Sequence, residues 1–310
     1  MENDIGRTVS SLKEFMMKNI APLAASIALA IISQGAIADT NTATVYQEGL
    51  GNTATADQSD PTATNNTIDQ TQIGDNNTSY AEQSANSDGG TIIHNQTGDM
   101  NTAESYQDNS VGAYIEINQG DNNQYVFTLQ SFVDGSTMSI TQDGDGHSAT
   151  LTQTNSTDDV IVVTQAGVNQ TAFVTQTLTS NSEVYVDQLG DSNLATHNQV
   201  NGDSNYSYSY QDGTTNTLNV IQTNDDHESN LWQIGDNNVA IHNQTGSDHY
   251  ALTEQLGTSN FANITATGIG SSAQTYQNGV GNAQTTTQIG DAQSAIANQT
   301  GNANVGVILQ

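Results

Sequence analysis

"QIGDNNVAIHNQTGSDHYALTEQLGTSNFANIT", from Gln233 to Thr265, decides the fold. Glutamine stands at 233, 244 and 255, and glycine follows two residues after each. Here "NVAIHNQ" reads as a strand that ends in Gln, and "QIGDNN" as the turn beside it. Gly two places past Gln can take the positive φ of a tight corner, and Asn or Asp nearby can bond the local backbone. Each unit is therefore a strand of about seven residues plus a turn of about four, within ordinary strand lengths.

The pattern extends in both directions. Rungs stand at Gln47, Gln58, Gln72, Gln83, Gln96, Gln107, Gln119, Gln130, Gln142, Gln153, Gln165 and Gln176. They continue at Gln188, Gln199, Gln211, Gln222, Gln233, Gln244, Gln255, Gln277, Gln288, Gln299 and Gln310, with Ala266 in the one gap, so 23 of 24 rungs are Gln. Nearly all spacings are 11 or 12. The longer ones, 14 and 13, fall around Pro61 and Gly89-Gly90, where loops absorb extra residues. The turn signature is clearest at Gly49 and Asn52, Gly74 and Asn77, Gly98 and Asn101, Gly190 and Asn193, and Gly235 and Asn238.

Side-chain parity assigns the faces. In "NVAIHNQ", Asn238, Ala240, His242 and Gln244 share one face. Equivalent places hold Ile115 and Ile117, Met138 and Ile140, Ile161 and Val163, Val184 and Val186. Adjoining rungs hold Ala54 and Ala56, Ala103 and Ser105, Ala172 and Val174. Large pairs thus alternate with smaller ones, as two facing sheets roughly 10 Å apart require. The opposite parity carries Asp57, Glu82, Glu104, Glu116, Glu183, Asp187, Glu228 and Glu254, with Asp159 as an inward exception. Helix is excluded by the abundance of Thr, Ser, Asn and Gly and by the missing 3.6 period.

The fold expected is all-β: a parallel β-solenoid with two strands per turn and about 12 turns of 22–23 residues, amyloid-like. Odd rungs form one parallel sheet and even rungs the other. The inward glutamines stack in columns, each amide bonding its copies roughly 4.7–4.8 Å above and below. The periodic sequence begins soon after Ala38 and ends on its own rung "NVGVILQ", with no atypical capping unit. Ends of this kind favour head-to-tail stacking into a non-closing filament.

Composition sets the exclusions. Only 34% of the 310 residues are hydrophobic and 12% charged, and the formal charge is −30. Arg7, Lys13 and Lys18 are the only basic residues. A surface without cations cannot neutralise phosphates, so no nucleic-acid partner is expected, and anionic membrane surfaces are disfavoured alike. With no cysteine, an exported chain needs another source of stability than disulfides.

"MKNIAPLAASIALAIISQGAIA", Met17 to Ala38, has a basic start, an apolar core and a small-residue end. This is the layout of a secretory signal peptide, with cleavage expected after Ala38. The apolar run is shorter than the roughly 20 residues of a membrane span, so the mature chain is expected to carry no transmembrane anchor. Translation start at Met16 or Met17 is a further expectation. Residues 1–38 are thus read as leader and 39–310 as one solenoid domain.

The repeated motif stands as "QEGLGNTATADQ" from Gln47, "QTGDMNTAESYQ" from Gln96, "QLGDSNLATHNQ" from Gln188 and "QIGDNNVAIHNQ" from Gln233. It resembles the curlin repeat of curli fibre subunits. That resemblance implies a secreted subunit that polymerises into extracellular amyloid fibres of bacterial biofilms. It also implies an outer-membrane export pore and a nucleator subunit as partners. Two features depart from it. Only "DTNTATVY" separates Ala38 from Gln47, where major subunits carry a Gly-rich targeting segment. From about Gln233, Gly follows both strands of each turn, as in the nucleating minor subunit, but that subunit's basic terminal repeat is absent. A major-type or long fibre subunit is favoured over a nucleator.

No P-loop, dinucleotide fingerprint, zinc signature or nucleophile elbow is present, so no enzyme, cofactor or metal is expected. The six histidines fill repeat slots: His147, His227 and His249 replace the turn Asn, while His94, His197 and His242 sit two residues before a ladder Gln. Acidic turns such as "GDNN" and "GDGDGH" read as a solvated rim, since the EF-hand and nonapeptide calcium patterns are missing. Tyr206, Tyr208 and Tyr210, and Tyr125, Phe127 and Leu129, point outward, open either to lateral contacts or to cross-strand packing. The rival readings are a monomeric adhesive or ice-binding solenoid, which calls for a regular outward Thr row, and an enzyme on a β-helix, which calls for clustered acids or bases and long loops.

Overall fold

The computed structural model describes residues 28–32 and 40–310. The three basic residues, both candidate start methionines and the cleavage site at Ala38 lie outside them. The described chain is all strand and turn, wound as a two-sheet parallel β-solenoid. Sheet A holds, in spatial order, β1 Ala28–Ile32, β3 Thr53–Asp57, β5 Thr78–Ser84, β7 Thr102–Asp108, β9 Tyr125–Ser131, β11 Ser148–Thr154, β13 Thr171–Ser180, β15 Leu194–Asp203, β17 Thr217–Asp225, β19 Val239–Ser247, β21 Phe261–Ile269, β23 Ala283–Ile289 and β25 Val305–Leu309. Sheet B holds β2 Thr42–Glu48, β4 Thr67–Ile73, β6 Thr91–Thr97, β8 Tyr114–Gly120, β10 Thr137–Asp145, β12 Val160–Val168, β14 Glu183–Asp191, β16 Tyr206–Thr214, β18 Glu228–Asp236, β20 Tyr250–Thr258, β22 Ser272–Val280 and β24 Ser294–Asn302.

Strands β2 to β25 make the twelve coils expected from the rungs. β1, within the apolar core of the leader, adds one strand that the rung count omits, running parallel to β3 with Ala28 beside Thr53. Register is set by the glutamines: Gln142 lies beside Gln165, Gln165 beside Gln188, and Gln153 beside Gln176. A slip of one residue would turn every inward side chain to solvent, which is why the alternation holds the pairing so firmly.

The core is the narrow slab between the sheets. Ile115, Ile117, Met138, Ile140, Ile161, Val163, Val184 and Val186 are buried from sheet B. Ala103, Ser105, Ala149, Ala172 and Val174 are buried opposite them from sheet A. The assignment of bulk to one sheet lasts only to Val186. In β16 the inward residues shrink to Ser207 and Ser209, and bulk passes to His197, Leu218 and Val220 of sheet A. The slab fills at close-packed density when large inward residues face smaller ones, and either sheet can supply the bulk.

The turns stack as regularly as the strands. Gly74 N donates to Glu48 O at 2.9 Å, and Asn76 N to Leu50 O at 2.8 Å. The segments around Pro61 and Gly89-Gly90 are not plain loops. Thr64, Asp88, Val111, Asp134, Thr157 and Ser180 form a third column of bridges, one per coil. The spacing of 12 after each sheet A rung, from Gln107 to Gln199, marks the longer arc, and the bridge column accompanies it as far as Ser180.

Candidate functional site

Two amide columns run the length of the coils. In sheet B, Gln47 Nε2 donates to Gln72 Oε1 at 2.6 Å, Gln72 to Gln96 at 2.8 Å, Gln96 to Gln119 at 2.9 Å and Gln119 to Gln142 at 3.1 Å. The chain continues through Gln165, Gln188, Gln211, Gln233, Gln255 and Gln277 to Gln299. In sheet A it runs from Gln58 through Gln83, Gln107, Gln130, Gln153, Gln176, Gln199 and Gln222 to Gln244. It resumes from Gln288 to Gln310.

Sequence reading foresaw the vertical bonds and missed the horizontal ones. Nearly every interior Nε2, Gln83 excepted, uses its second hydrogen to reach a carbonyl at the start of the facing strand: Gln165 to Ser148 O at 3.2 Å, Gln188 to Thr171 O at 3.0 Å. One glutamine thus ties its own sheet vertically and the two sheets laterally. A side-chain amide has two donors, and a residue that filled only one inside this slab would leave the other unpaired at roughly 1–3 kcal/mol.

All donors point the same way, toward the C-terminal coils. At the first coil Gln47 Oε1 is buried with no donor. At the last described coils Gln299 donates only to Ala283 O and Gln310 only to Ser294 O. One interior fault shows the same logic. Ala266 interrupts the sheet A column, and Gln288 Oε1 is left without a partner.

The turn residues form a second ladder. Asn52 Nδ2 donates to Glu48 O of its own turn at 3.1 Å and to Gly74 O of the next coil at 2.7 Å. Its Oδ1 accepts from Asn77 N at 2.9 Å. Asn77, Asn101, Asn193 and Asn238 repeat this stapling. Where Gln replaces Asn, at Gln124, Gln170 and Gln293, the side-chain oxygen is buried without a partner. At Gln124 and Gln170 the extra methylene carries the acceptor past the N–H of the next coil, whereas in the column of Gln293 no later turn lies among the described residues. Gly49, Gly74, Gly98, Gly190 and Gly235 all have positive φ. At Gly190 a Cβ would overlap the Gly213 carbonyl stacked on it, so the column requires glycine for space as well as for φ.

The histidines occupy the slots assigned to them. His94 is buried, with Nδ1 2.8 Å from Ser79 Oγ and Nε2 2.6 Å from Ser105 Oγ. His197 sits between Ser207 and Ser209, and His242 between Ser229 and Thr253. Desolvation pushes all three down to about 3. His147, His227 and His249 cap their own turns through Nε2, bonding Asp143 O, Thr223 O and Thr245 O. The rings of His227 and His249 stack in parallel at 5.2 Å. Burial lowers His147 and His227.

Asp159 is buried as its parity required, accepting from Ser182 N at 2.8 Å and from Thr179 Oγ1. Burial raises its carboxyl above the ordinary range. The outward aromatics pack across strands: Tyr80 on Tyr106 at 5.4 Å, Tyr106 on Phe127 at 5.7 Å, Tyr208 on Trp232 at 5.7 Å. Among the described residues no group of three His, Asp or Glu is placed to hold a metal ion. What the geometry offers chemically is a directional array of buried donors and acceptors. No protein-family model and no curated protein matches this chain.

Proposed function

We propose that this chain is a secreted structural subunit that stacks head to tail into extracellular, curli-like amyloid fibres serving biofilm matrix, adhesion and surface attachment. The observation that carries the reading is ladder polarity. The sheet B column begins with a buried acceptor that has no donor, Gln47 Oε1, and the two columns end on the under-used donors of Gln299 and Gln310. A second copy added in register satisfies both, together with the open strand edges of β24 and β25. The inward residues of the first coil, Ala43 and Val45, are small enough to close the hollow lined by Gln284, Ala297 and Gly306 at the other end.

In this reading the leader has a second consequence. β1 lies on the sheet A edge beside β3, so cleavage after Ala38 frees that edge for a partner. The curlin resemblance supplies the expected partners, an outer-membrane export pore and a nucleator subunit.

Fibre growth by residues 39–310, followed with thioflavin and by diffraction, tests the proposal. Fibres with a 4.7–4.8 Å reflection are expected. In seeded growth Gln47→Ala and Gln310→Ala slow elongation more than interior Gln165→Ala does. Equal slowing by the two classes, or a chain that stays single at high concentration, overturns it.

A further inference from the structure

The carboxylates are not spread evenly over the two outer faces. Sheet B presents Asp143, Glu183, Asp187, Asp212, Glu228 and Glu254 along β10 to β20. Sheet A presents Asp57, Glu82, Glu104 and Asp108 on β3, β5 and β7, and then none. From β9 to β25, the outward positions from each strand's start to the residue after its ladder glutamine carry no Asp or Glu. Nine consecutive strands are neutral in a chain of formal charge −30. The acids of the same coils stand at the turns, such as Asp191 and Asp236 along one margin and Asp203 and Asp225 along the other.

The strands of this face are parallel and in register throughout. Its central column mixes short and bulky uncharged side chains: Thr150, Phe173, Thr196, Asn219 and Ile241 are neighbours in turn. Phe173 is 45% exposed and Phe261 36%. Rows of unlike height on an in-register sheet can interdigitate with a copy of themselves, as in the dry interface of a steric zipper.

We infer that the outer face of sheet A, from β9 to β25, is a self-pairing surface whose partner is a second copy of this chain, related by a twofold axis. Size fits: nine strands at about 4.8 Å by seven residues at about 3.3 Å give on the order of 1,000 Å² per copy, above the roughly 800 Å² per partner of a standard stable interface. Charge selects the face. Two sheet B faces would bring desolvated carboxylates together, whereas sheet A faces meet only at their acidic margins, an uncharged centre with a charged rim. The margins repel, so pairing strengthens with salt. This pairing is independent of head-to-tail stacking.

The test compares full chains with two added acids on either face: Thr196→Glu with Thr285→Glu on sheet A, and Asn230→Glu with Gln274→Glu on sheet B. Filament width by electron microscopy and the mass of unpolymerised protein by sedimentation are read at moderate salt. The wild type and the sheet B variant are expected as pairs. The sheet A variant is expected at single width, with pairing weakened about tenfold or more. Mixing it with a Thr196→Lys, Thr285→Lys chain restores pairs, a rescue that a mere folding defect cannot show. Wild-type filaments of single width at all salt concentrations, pairing unaffected by the sheet A acids, or failure of the mixed rescue overturns the inference. So does a single-width wild type whose sheet A variant alone loses adhesion to a foreign surface. If no filament forms but sheet A-dependent dimers sediment, the head-to-tail reading fails and this one stands.

Discussion

The coils from Ile115 to Val186 and those beyond Ala266 share one backbone plan but are held together differently. The first set is filled by paired Ile, Met and Val side chains in a single continuous cluster. In the second set the inward places hold Thr275, Gln284, Thr286, Ala295 and Ala297. The amide column is broken at Ala266, Thr275 Oγ1 is buried without a partner, and Ala251 and Ile264, just before the break, join Ala273 in only a small separate cluster. Apolar burial, at roughly 25 cal/mol per Å², therefore stabilises the middle of the rod, while the last coils depend on backbone ladders and amides. Fold can be propagated by backbone register alone, whereas stability is distributed by what fills each coil. Amide exchange should accordingly be fastest in the last coils.

Acid gives the largest way to upset this order. His94, His197 and His242 all precede Ala266, and each enters the fold neutral. Their folded values, about 3, lie below the unfolded value near 6.5. Their neutral burial is fully tolerated above pH 6.5, and stability falls as pH drops from 6.5 toward 3 because the unfolded chain takes up protons first. The loss is about 1.4 kcal/mol per pH unit for each histidine. Between pH 6.5 and 5, above the carboxylate range, protection from hydrogen exchange, taken relative to the unprotected rate at the same pH, should fall in the coils holding these histidines and stay constant in the last coils. A triple His→Gln chain should lose most of that dependence, the remainder coming from His147 and His227, which burial also lowers.

The same substitution at two points of one column sharpens the contrast. Gly190→Ala forces a Cβ into the Gly213 carbonyl and should cost about 3–5 kcal/mol. At Gly301 the nearest heavy atom to an added Cβ is Asn304 Nδ2 at 3.8 Å, so Gly301→Ala carries only its φ of +108° and should cost about 1–2 kcal/mol. Denaturation midpoints of the two variants check this. The smallest effect is a repair. Ala266→Gln supplies the missing amide, gives Gln288 Oε1 a donor and should stabilise the last coils by about 1 kcal/mol, seen as slower exchange there.

Much of this was legible before any coordinates. Parity placed Ile161, Asp159 and the acids of the outer faces correctly, because alternation in a strand is a matter of geometry with no competing solution. The histidine slots followed from position in the repeat. The third bridge column was hinted at only by the spacings longer than 11, which are 14 at Thr64, 13 at Asp88 and 12 at Val111, since inserted residues do not say whether they bulge or bridge. The unpaired oxygens of Gln124 and Gln170 had no sequence signal beyond the substitution itself.

The sequence alone determined the two-strand coil, the stacking of like on like and the inward glutamines, because a period of 11 or 12 leaves a strand and a turn no other way to close. Only the tertiary structure decided the direction of the amide columns, the bond each glutamine makes to the facing sheet, the passing of bulk from sheet B to sheet A at Ser207, and the gathering of uncharged outward residues onto one face. These depend on residues 22–25 positions apart, or on the opposite sheet, meeting in space. The orientation of an amide is chosen by its neighbours and not by its place in the repeat.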